Sequence, residues 1–218
     1  MTREEIFSRV KERKIIAIVR GQSPENLLPL AEALGRGGVD LMEITFQQSR
    51  PETWRETAAG IREITALHGE RLLCGAGTVM SVEQARMAHG AGAKYIISPN
   101  VDEGVIRETV RLGMVSLPGA MTPTEIVAAH AYGADAVKVF PLGCLGLDYL
   151  RALRGPLGYI PLLAVGGVNE HNAAEFLRAG AAGLGIGGSL VDGALVAAGN
   201  FEQITRVARI YRATVDAA

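Results

Sequence analysis

The sequence predicts an α/β fold, a (β/α)8 (TIM) barrel, and three observations favour it. Eight short runs rich in Ile, Val and Leu alternate with longer amphipathic stretches, which is the order of βα units that form a parallel sheet. No Pro- or Ser-rich linker, low-complexity tract or change of composition interrupts residues 1–218, so we expect a single domain. The length also fits, because barrels of roughly 200–250 residues commonly form one unit.

The eight predicted strands are residues 15–20, 41–46, 72–78, 95–99, 115–120, 136–141, 161–167 and 182–188. Capping signals precede two of the helices between them: Ser23 and Thr122 each stand before a proline, and Glu125 follows Thr122 at the spacing of a capping box. An extra N-terminal helix near 2–13 and a C-terminal helix near 200–214 complete the prediction. An open doubly wound sheet is the competing fold, but no G-x-G-x-x-G follows the first strand, as its dinucleotide-binding form requires.

Composition and charge exclude several classes of function. The formal net charge is −1 and no Lys/Arg cluster is present, which argues against a nucleic-acid partner. No run approaches the roughly 18 apolar residues that span a bilayer, and the polar start lacks the apolar core of a signal peptide, so we expect a cytoplasmic protein without membrane contact. Cys74 and Cys144 are expected to be free thiols. The four histidines lack metal-ligand spacing, and we predict neither a metal nor a cofactor.

Lys138 is the first candidate functional residue, because it lies in an apolar strand where an ammonium is costly unless it is paired, shifts its pKa or does chemistry. Side chains alternate along a strand, so Lys138 faces the barrel interior while Val137 and Val139 face the helices. The same alternation points Glu43 inward. In a barrel, late-strand residues gather at the functional, carboxyl-terminal face. A structural Lys–Glu ion pair is the alternative at this stage.

Two glycine pairs predict a phosphate site. Gly166 and Gly167 follow the seventh strand, and Gly187 and Gly188, with Ser189, follow the eighth. Glycine lets backbone N–H groups approach an anion, and a hydroxyl adds a donor. The loops after strands seven and eight are also where barrels often hold phosphate.

A buried amine, a carboxyl group and a phosphate site together suggest Schiff-base chemistry on a phosphorylated keto compound. A lysine with a depressed pKa is partly neutral and can attack a carbonyl, and the resulting iminium weakens the adjacent carbon–carbon bond. Glu43 would move the protons. Two other classes stay open: a phosphosugar isomerase or epimerase, and a non-catalytic barrel that binds a phosphorylated metabolite.

The motifs KIIAIVRG, EIT, GAGTV, SPN, KVFP, GGV and GGS, in this order between about residues 14 and 193, resemble a known family. They are similar to the bacterial class I aldolases for 2-keto-3-deoxy-6-phosphogluconate (KDPG) and 4-hydroxy-2-oxoglutarate (KHG). The resemblance implies a homotrimer of barrels that cleaves its substrate to pyruvate and glyceraldehyde 3-phosphate, or to pyruvate and glyoxylate. It implies that Lys138 is the Schiff-base lysine and Glu43 the general acid/base.

The same resemblance assigns the other site residues. Thr78 and Pro99 line the pyruvate half, and Phe140 packs beside the lysine. The residues that match the phosphate-holding positions are Arg20, Gly166, Gly167, Gly187, Gly188 and Ser189.

Two positions depart from the gluconate-type enzymes. Gln47 stands four residues after Glu43, where those enzymes carry an Arg that helps to hold the substrate carboxylate. We therefore expect carboxylate binding to depend more on Thr78 and backbone donors. Val165 stands where they usually carry Thr, and here the chain looks like the sister aldolases for 2-keto-3-deoxy-6-phosphogalactonate. Loss of that hydroxyl removes a hydrogen bond near the carbons that distinguish the two sugars.

Overall fold

The computed structural model describes residues 1–218 and contains nine parallel strands in a nearly closed barrel with helices between them. The predicted barrel is confirmed, with the fifth predicted strand divided in two. The strands are β1 Ile15–Val19, β2 Leu41–Thr45, β3 Leu73–Gly77, β4 Tyr95–Ile97, β5 Val115–Leu117, β6 Gly119–Ala120, β7 Val137–Val139, β8 Leu162–Val165 and β9 Gly183–Ile186. Around the barrel they follow the order β5-β4-β3-β2-β1-β9-β8-β7-β6.

Pro118 divides the fifth predicted strand. It has no N–H to give to a ladder, so β5 ends before it and β6 begins after it. β5 pairs with β4, whereas β6 pairs with β7. The Pro118 carbonyl still accepts a hydrogen bond from the Lys138 N–H at 2.8 Å. The two short strands therefore occupy one strand position and connect the edges of the sheet beside Lys138.

Proline also explains why two predicted strands are too long. β4 ends at Ile97 rather than at 99, and β7 ends at Val139 rather than at 141. Pro99 and Pro141 stand at the predicted ends, where a missing N–H stops the ladder.

The helices lie outside the barrel and match the predicted alternation. Thr122 and Glu125 form the predicted capping box, whereas Ser23 precedes the helix Pro24–Arg36 without a side-chain capping bond. None of the helices combines the length and apolar character that crossing a bilayer requires. The helices are α1 Arg3–Arg13, α2 Pro24–Arg36, α3 Trp54–His68, α4 Val82–Gly90, α5 Glu103–Arg111, α6 Pro123–Ala131, α7 Leu142–Arg154, α8 Ala173–Arg178, α9 Gly193–Ala197 and α10 Phe201–Asp216, with a 3-10 turn at Pro51–Thr53.

The apolar core has two layers. The outer layer fills the space between strands and helices and includes Val137 and Val139. The inner layer fills the barrel, and Ile6 and Val10 of α1 pack against its lower end. Because α1 closes the amino-terminal end of the barrel, only the carboxyl-terminal end is left for a site.

Tyr95 is the largest side chain of the inner layer and is fully buried. Its hydroxyl donates to the Met42 carbonyl at 2.6 Å, so its polar end is satisfied. Gly75 on the neighbouring strand makes room for the ring, since a Cβ at that position would overlap the ring carbons. The packing of the barrel interior therefore depends on a Gly–Tyr pair.

We expect Gly75→Ala to lower the free energy of unfolding by about 3 kcal/mol, because the added methyl group overpacks the barrel interior against Tyr95. Gly35→Ala is the matched control: its Cβ would meet nothing within 4 Å, and Ala is favoured over Gly in a helix by about 1 kcal/mol. Denaturant unfolding of the three proteins measures both effects. Equal stability of Gly75→Ala and the wild type would contradict this account of the core.

Candidate active site

A cavity of about 430 Å³ opens at the carboxyl-terminal ends of β1, β7, β8 and β9. Nine of the predicted site residues line it: Arg20, Lys138, Phe140, Val165, Gly166, Gly167, Gly187, Gly188 and Ser189. Glu43 lies below it and shares a small apolar gap with Lys138. The structure thus brings the amine, the carboxyl group and both glycine pairs to one place, at the face where barrel enzymes carry their sites.

Lys138 occupies the middle of β7, with its side chain turned into the barrel and only 7% exposed. Its Nζ lies 4.7 Å from the centre of the Phe140 ring. Burial lowers the pKa of the amine, the carboxyl group of Glu43 opposes that shift, and the charge of Arg20 adds to it. A lower pKa increases the neutral, nucleophilic fraction of the amine.

Glu43 occupies the middle of β2 and is 2% exposed. Burial raises its pKa to about 7, against the opposing charges of Lys138 and Arg20. Its Oε2 has no hydrogen-bond partner in the protein, so this oxygen is not held in a structural ion pair with Lys138. Gly77 on β3 makes room for the carboxyl group, since a Cβ there would overlap Oε2. A carboxyl group with this pKa can both accept and donate a proton near neutral pH.

The glycine loops after β8 and β9 present unused backbone donors to the cavity. The N–H groups of Gly166, Gly167, Gly187, Gly188 and Ser189 have no acceptor within the protein. Gly166 and Gly167 have φ angles of 85° and 78°, a conformation that favours glycine. The Ser189 hydroxyl donates to the Val168 carbonyl at 2.8 Å, which ties the two loops together. The donors of this cradle are therefore mainly backbone N–H groups, and they suit an anion.

Arg20 supplies the positive charge of the same wall. It follows β1, is exposed, and forms no ion pair. No group of three or more His, Cys, Asp and Glu side chains lies close enough together to hold a metal ion. The cavity accordingly offers one amine, one guanidinium and a set of amide donors.

Thr78 and Pro99 are not among the residues that line this cavity. Thr78 follows β3 with a φ of 55°, and its carbonyl accepts a hydrogen bond from Gln48 Nε2. Pro99 is partly buried, and its backbone lies against Gly119. Both lie at the ends of β3 and β4, on the Glu43 side of the barrel, away from the glycine loops.

Other residues of the site were not predicted. Ile18, Val168, Asn169 and Gly185 complete the cavity wall, and Gly77 accommodates Glu43. Strand alternation could have identified Ile18, since it shares a face with Arg20. No sequence signal distinguishes Gly77 from the other glycines, because its role depends on a neighbour on another strand.

The fold and the cavity are those of a barrel enzyme, and comparison with known proteins identifies its family. The profile of an aldolase family described as "KDPG and KHG aldolase" matches residues 6–207. The 2-dehydro-3-deoxy-6-phosphogalactonate aldolase of Escherichia coli (strain K12) is 35% identical over 202 residues, 92% of this chain and 96% of the relative. The 2-dehydro-3-deoxy-phosphogluconate aldolase of Treponema pallidum (strain Nichols) is 35% identical over 206 residues, 94% of each chain.

A solved structure described as "Native KDPGal structure" has a TM-score of 0.84 and 33% identity, and the match covers 93% of this chain and 94% of that one. The chain belongs to the KDPG and KHG aldolase family, which makes the protein an aldolase, a carbon–carbon lyase. The resemblance noted in the sequence is confirmed.

The raised pKa of Glu43 predicts a specific pH dependence of stability. The folded protein retains this proton up to about pH 7, whereas the unfolded chain loses it near pH 4.5, so the free energy of unfolding falls as the pH rises between these values. We expect the free energy of unfolding of the wild type to fall by about 3 kcal/mol relative to that of Glu43→Gln between pH 4.5 and pH 7. Above pH 7 the difference between the two proteins should stay constant. Denaturant unfolding from pH 4 to pH 8 measures the difference.

The exposed Glu63→Gln serves as the control and should follow the wild type at every pH. If the curves for the wild type and Glu43→Gln run parallel, Glu43 does not titrate in the folded protein as described.

Proposed function

We propose that the protein is a Schiff-base (class I) aldolase that cleaves a 2-keto-3-deoxy-6-phospho sugar acid to pyruvate and glyceraldehyde 3-phosphate. The observation that carries the proposal is the buried Lys138 amine, which faces the same cavity as the free N–H groups of the glycine loops and lies beside Glu43. A structural lysine needs neither an anion cradle nor a protonatable neighbour. Hydroxyglutarate, cleaved to pyruvate and glyoxylate, is a further substrate of the same chemistry.

In the first half of the proposed reaction, the neutral Lys138 amine attacks the C2 ketone and water leaves, which forms an iminium. Burial lowers the pKa of Lys138, so a larger fraction of the amine is neutral and can attack the ketone. The positively charged iminium then serves as the electron sink for bond cleavage.

In the second half, Glu43 accepts the proton of the C4 hydroxyl, directly or through a water molecule. The C3–C4 bond breaks, its electrons pass to the iminium to form an enamine, and glyceraldehyde 3-phosphate leaves. Glu43 returns a proton to C3, and hydrolysis of the iminium releases pyruvate and the free lysine. A pKa of about 7 suits both proton transfers.

The proposed orientation places the two ends of the substrate at opposite sides of the mouth. Its phosphate binds the N–H groups of the glycine loops and the Arg20 guanidinium, since this wall combines backbone donors with a positive charge. Its carboxylate lies toward Thr78 and Pro99, and Phe140 packs beside the reacting carbon.

Val165 favours 2-keto-3-deoxy-6-phosphogalactonate as a second candidate substrate. Its side chain lies in the cavity wall and packs across Gly185, where a Cβ would lie 2.8 Å from Val165 Cγ2. An apolar group at this place offers no hydrogen bond to a sugar hydroxyl, so it cannot select the gluconate epimer by that means. Coupled assays of pyruvate release from the gluconate, galactonate and hydroxyglutarate compounds compare the three substrates directly.

The proposal includes a homotrimer in the cytoplasm. Exposed apolar side chains such as Met80, Met121 and Tyr159 provide surface that a subunit contact would cover. A cytoplasmic location suits charged phosphate esters, which do not cross membranes unaided. Sedimentation analysis measures the number of subunits.

We expect borohydride to trap pyruvate on the protein, because reduction of the iminium leaves a stable secondary amine on Lys138. The adduct should be absent from Lys138→Ala and should form normally in Lys94→Ala, whose lysine precedes β4 at the amino-terminal end. Mass spectrometry of the trapped protein and its peptides provides the measurement. An adduct on Lys138→Ala would exclude Lys138 as the Schiff-base lysine. No adduct on the wild type would exclude the Schiff-base mechanism and favour an isomerase or a non-catalytic binding protein.

For Glu43→Gln we expect turnover to fall by about 10²–10⁴-fold, since the amide cannot transfer the protons of cleavage. Trapping of pyruvate should persist, because formation of the iminium with Lys138 is a separate step. Steady-state rates and adduct yields of the same preparation test both parts. Unchanged turnover would remove Glu43 from the mechanism, and the exposed Glu63→Gln controls for the substitution itself.

A further inference from the structure

Two glutamines form a side-chain amide pair between the loop that follows β2, which carries Gln48, and the first turn of α4, which carries Gln84. Gln84 Nε2 donates to Gln48 Oε1 at 3.1 Å, and Gln48 Nε2 donates to Gln84 Oε1 at 3.3 Å. The Gln84 residue is fully buried, although glutamine is a mostly exposed residue type. A buried amide is costly unless it is hydrogen-bonded, so its bonding partners indicate why it is retained.

The other bonds of the pair hold the loop after β3. Gln48 Nε2 also donates to the Thr78 carbonyl at 2.6 Å, and the Met80 N–H donates to Gln84 Oε1 at 2.8 Å. The segment 78–80 is therefore fixed at both of its ends by one amide pair.

Thr78 needs such restraint. Its φ of 55° lies in the left-handed region, which a β-branched residue adopts only at a cost. The peptide after Thr78 is held at both of its polar groups, because the Val79 N–H donates to the Ile97 carbonyl at 3.1 Å and Gln48 donates to the Thr78 carbonyl. Loss of the bond from Gln48 removes one of these two restraints and lets the side chain and N–H of Thr78 shift.

The position of Thr78 matters because positive charge is scarce in the site. Arg20 and Lys138 are the only cationic residues that line the cavity. Lys138 reacts with the ketone and Arg20 stands by the phosphate loops, so neutral donors must meet the substrate carboxylate. Thr78 directly follows Gly77, which contacts Glu43, and Gln47 nearby is also neutral.

We infer that Gln48 and Gln84 are positioning residues that hold Thr78 in place for recognition of the substrate carboxylate. The inference rests on the proposed function, since it concerns the pyruvate half of that substrate. In the proposed role, neither glutamine contacts the reacting atoms, and both act through the segment 78–80.

Gln48→Ala tests the inference, because Gln48 is exposed and its loss should leave the fold intact. Pyruvate and inorganic phosphate are used as separate competitive inhibitors, one for each end of the site. We expect the inhibition constant of pyruvate to rise about tenfold, as for the loss of one hydrogen bond at a binding site, while that of phosphate stays unchanged. KM for the sugar acid should rise with little change in kcat.

Gln203→Ala is the matched control, since Gln203 lies on α10 and bonds only at the surface. Gln84→Met removes the other half of the pair at similar volume. In the double variant Gln48→Ala/Gln84→Met, the effect on pyruvate binding should be much smaller than the sum of the two single effects, as expected for one shared interaction. If Gln84→Met does not fold, the Gln48→Ala measurement decides alone.

An unchanged inhibition constant for pyruvate in Gln48→Ala would overturn the inference, and so would an equal rise for pyruvate and phosphate, which indicates a general disturbance of the site. Failure of the proposed function gives a different result, namely no borohydride adduct on the wild type. The wild type can form the adduct while Gln48→Ala keeps an unchanged inhibition constant for pyruvate. That combination rejects the positioning role of Gln48 and does not contradict the aldolase proposal.

Discussion

Lys138 and Glu43 share the interior of the barrel, where burial makes the charged form of each group costly. Burial lowers the pKa of the amine and raises that of the carboxyl group, and in each case the charge of the other group limits the shift. Much of the surrounding architecture serves this pair. Gly77 gives the carboxyl group its space, and Pro118 accepts the backbone N–H of the lysine where the two edges of the sheet meet. The result is a carboxyl group with a pKa of about 7 beside an amine whose pKa is lowered, the kind of paired shift that is frequent at functional sites.

The anion cradle depends on backbone groups rather than on side chains. Ser189 illustrates the difference: its hydroxyl is bonded to the Val168 carbonyl, so it joins the two loops, and its N–H is the group left free. A cradle of amide N–H groups keeps its geometry because it is part of the loops themselves. It also leaves Arg20 as the single charge at that wall.

Most of the fold and the centre of the site could be predicted from the sequence, because they depend on short-range patterns. The alternation of side chains in AVKVF and LMEIT placed Lys138 and Glu43 inside the barrel, and the glycine pairs at the ends of two strands lie together in the cavity wall. Features that depend on contacts between distant residues could not be predicted. The Gln48–Gln84 pair joins side chains 36 positions apart, and no pattern in the sequence connects them.

Local chemistry could have improved some strand boundaries. Pro99, Pro118 and Pro141 each lie inside or at the end of a predicted strand, and each interrupts a ladder because it lacks an N–H. Local chemistry could not have predicted that Thr78 and Pro99 lie outside the main cavity. β3 and β4 lie across the barrel from β8 and β9, and no pattern in the sequence shows which strand ends border the cavity.

Ile6 and Val10 pack against the amino-terminal end of the barrel and close it to substrate and products as well as to solvent. With one end closed, substrate entry and the exit of both products share a single mouth. In the proposed reaction the three-carbon fragment stays covalently attached at depth, while the phosphorylated aldehyde lies nearer the opening. The two products therefore leave in a fixed order, because the aldehyde must depart before water can reach the remaining imine. A phosphorylated compound bound at the mouth would delay both the release of pyruvate and the binding of the next substrate.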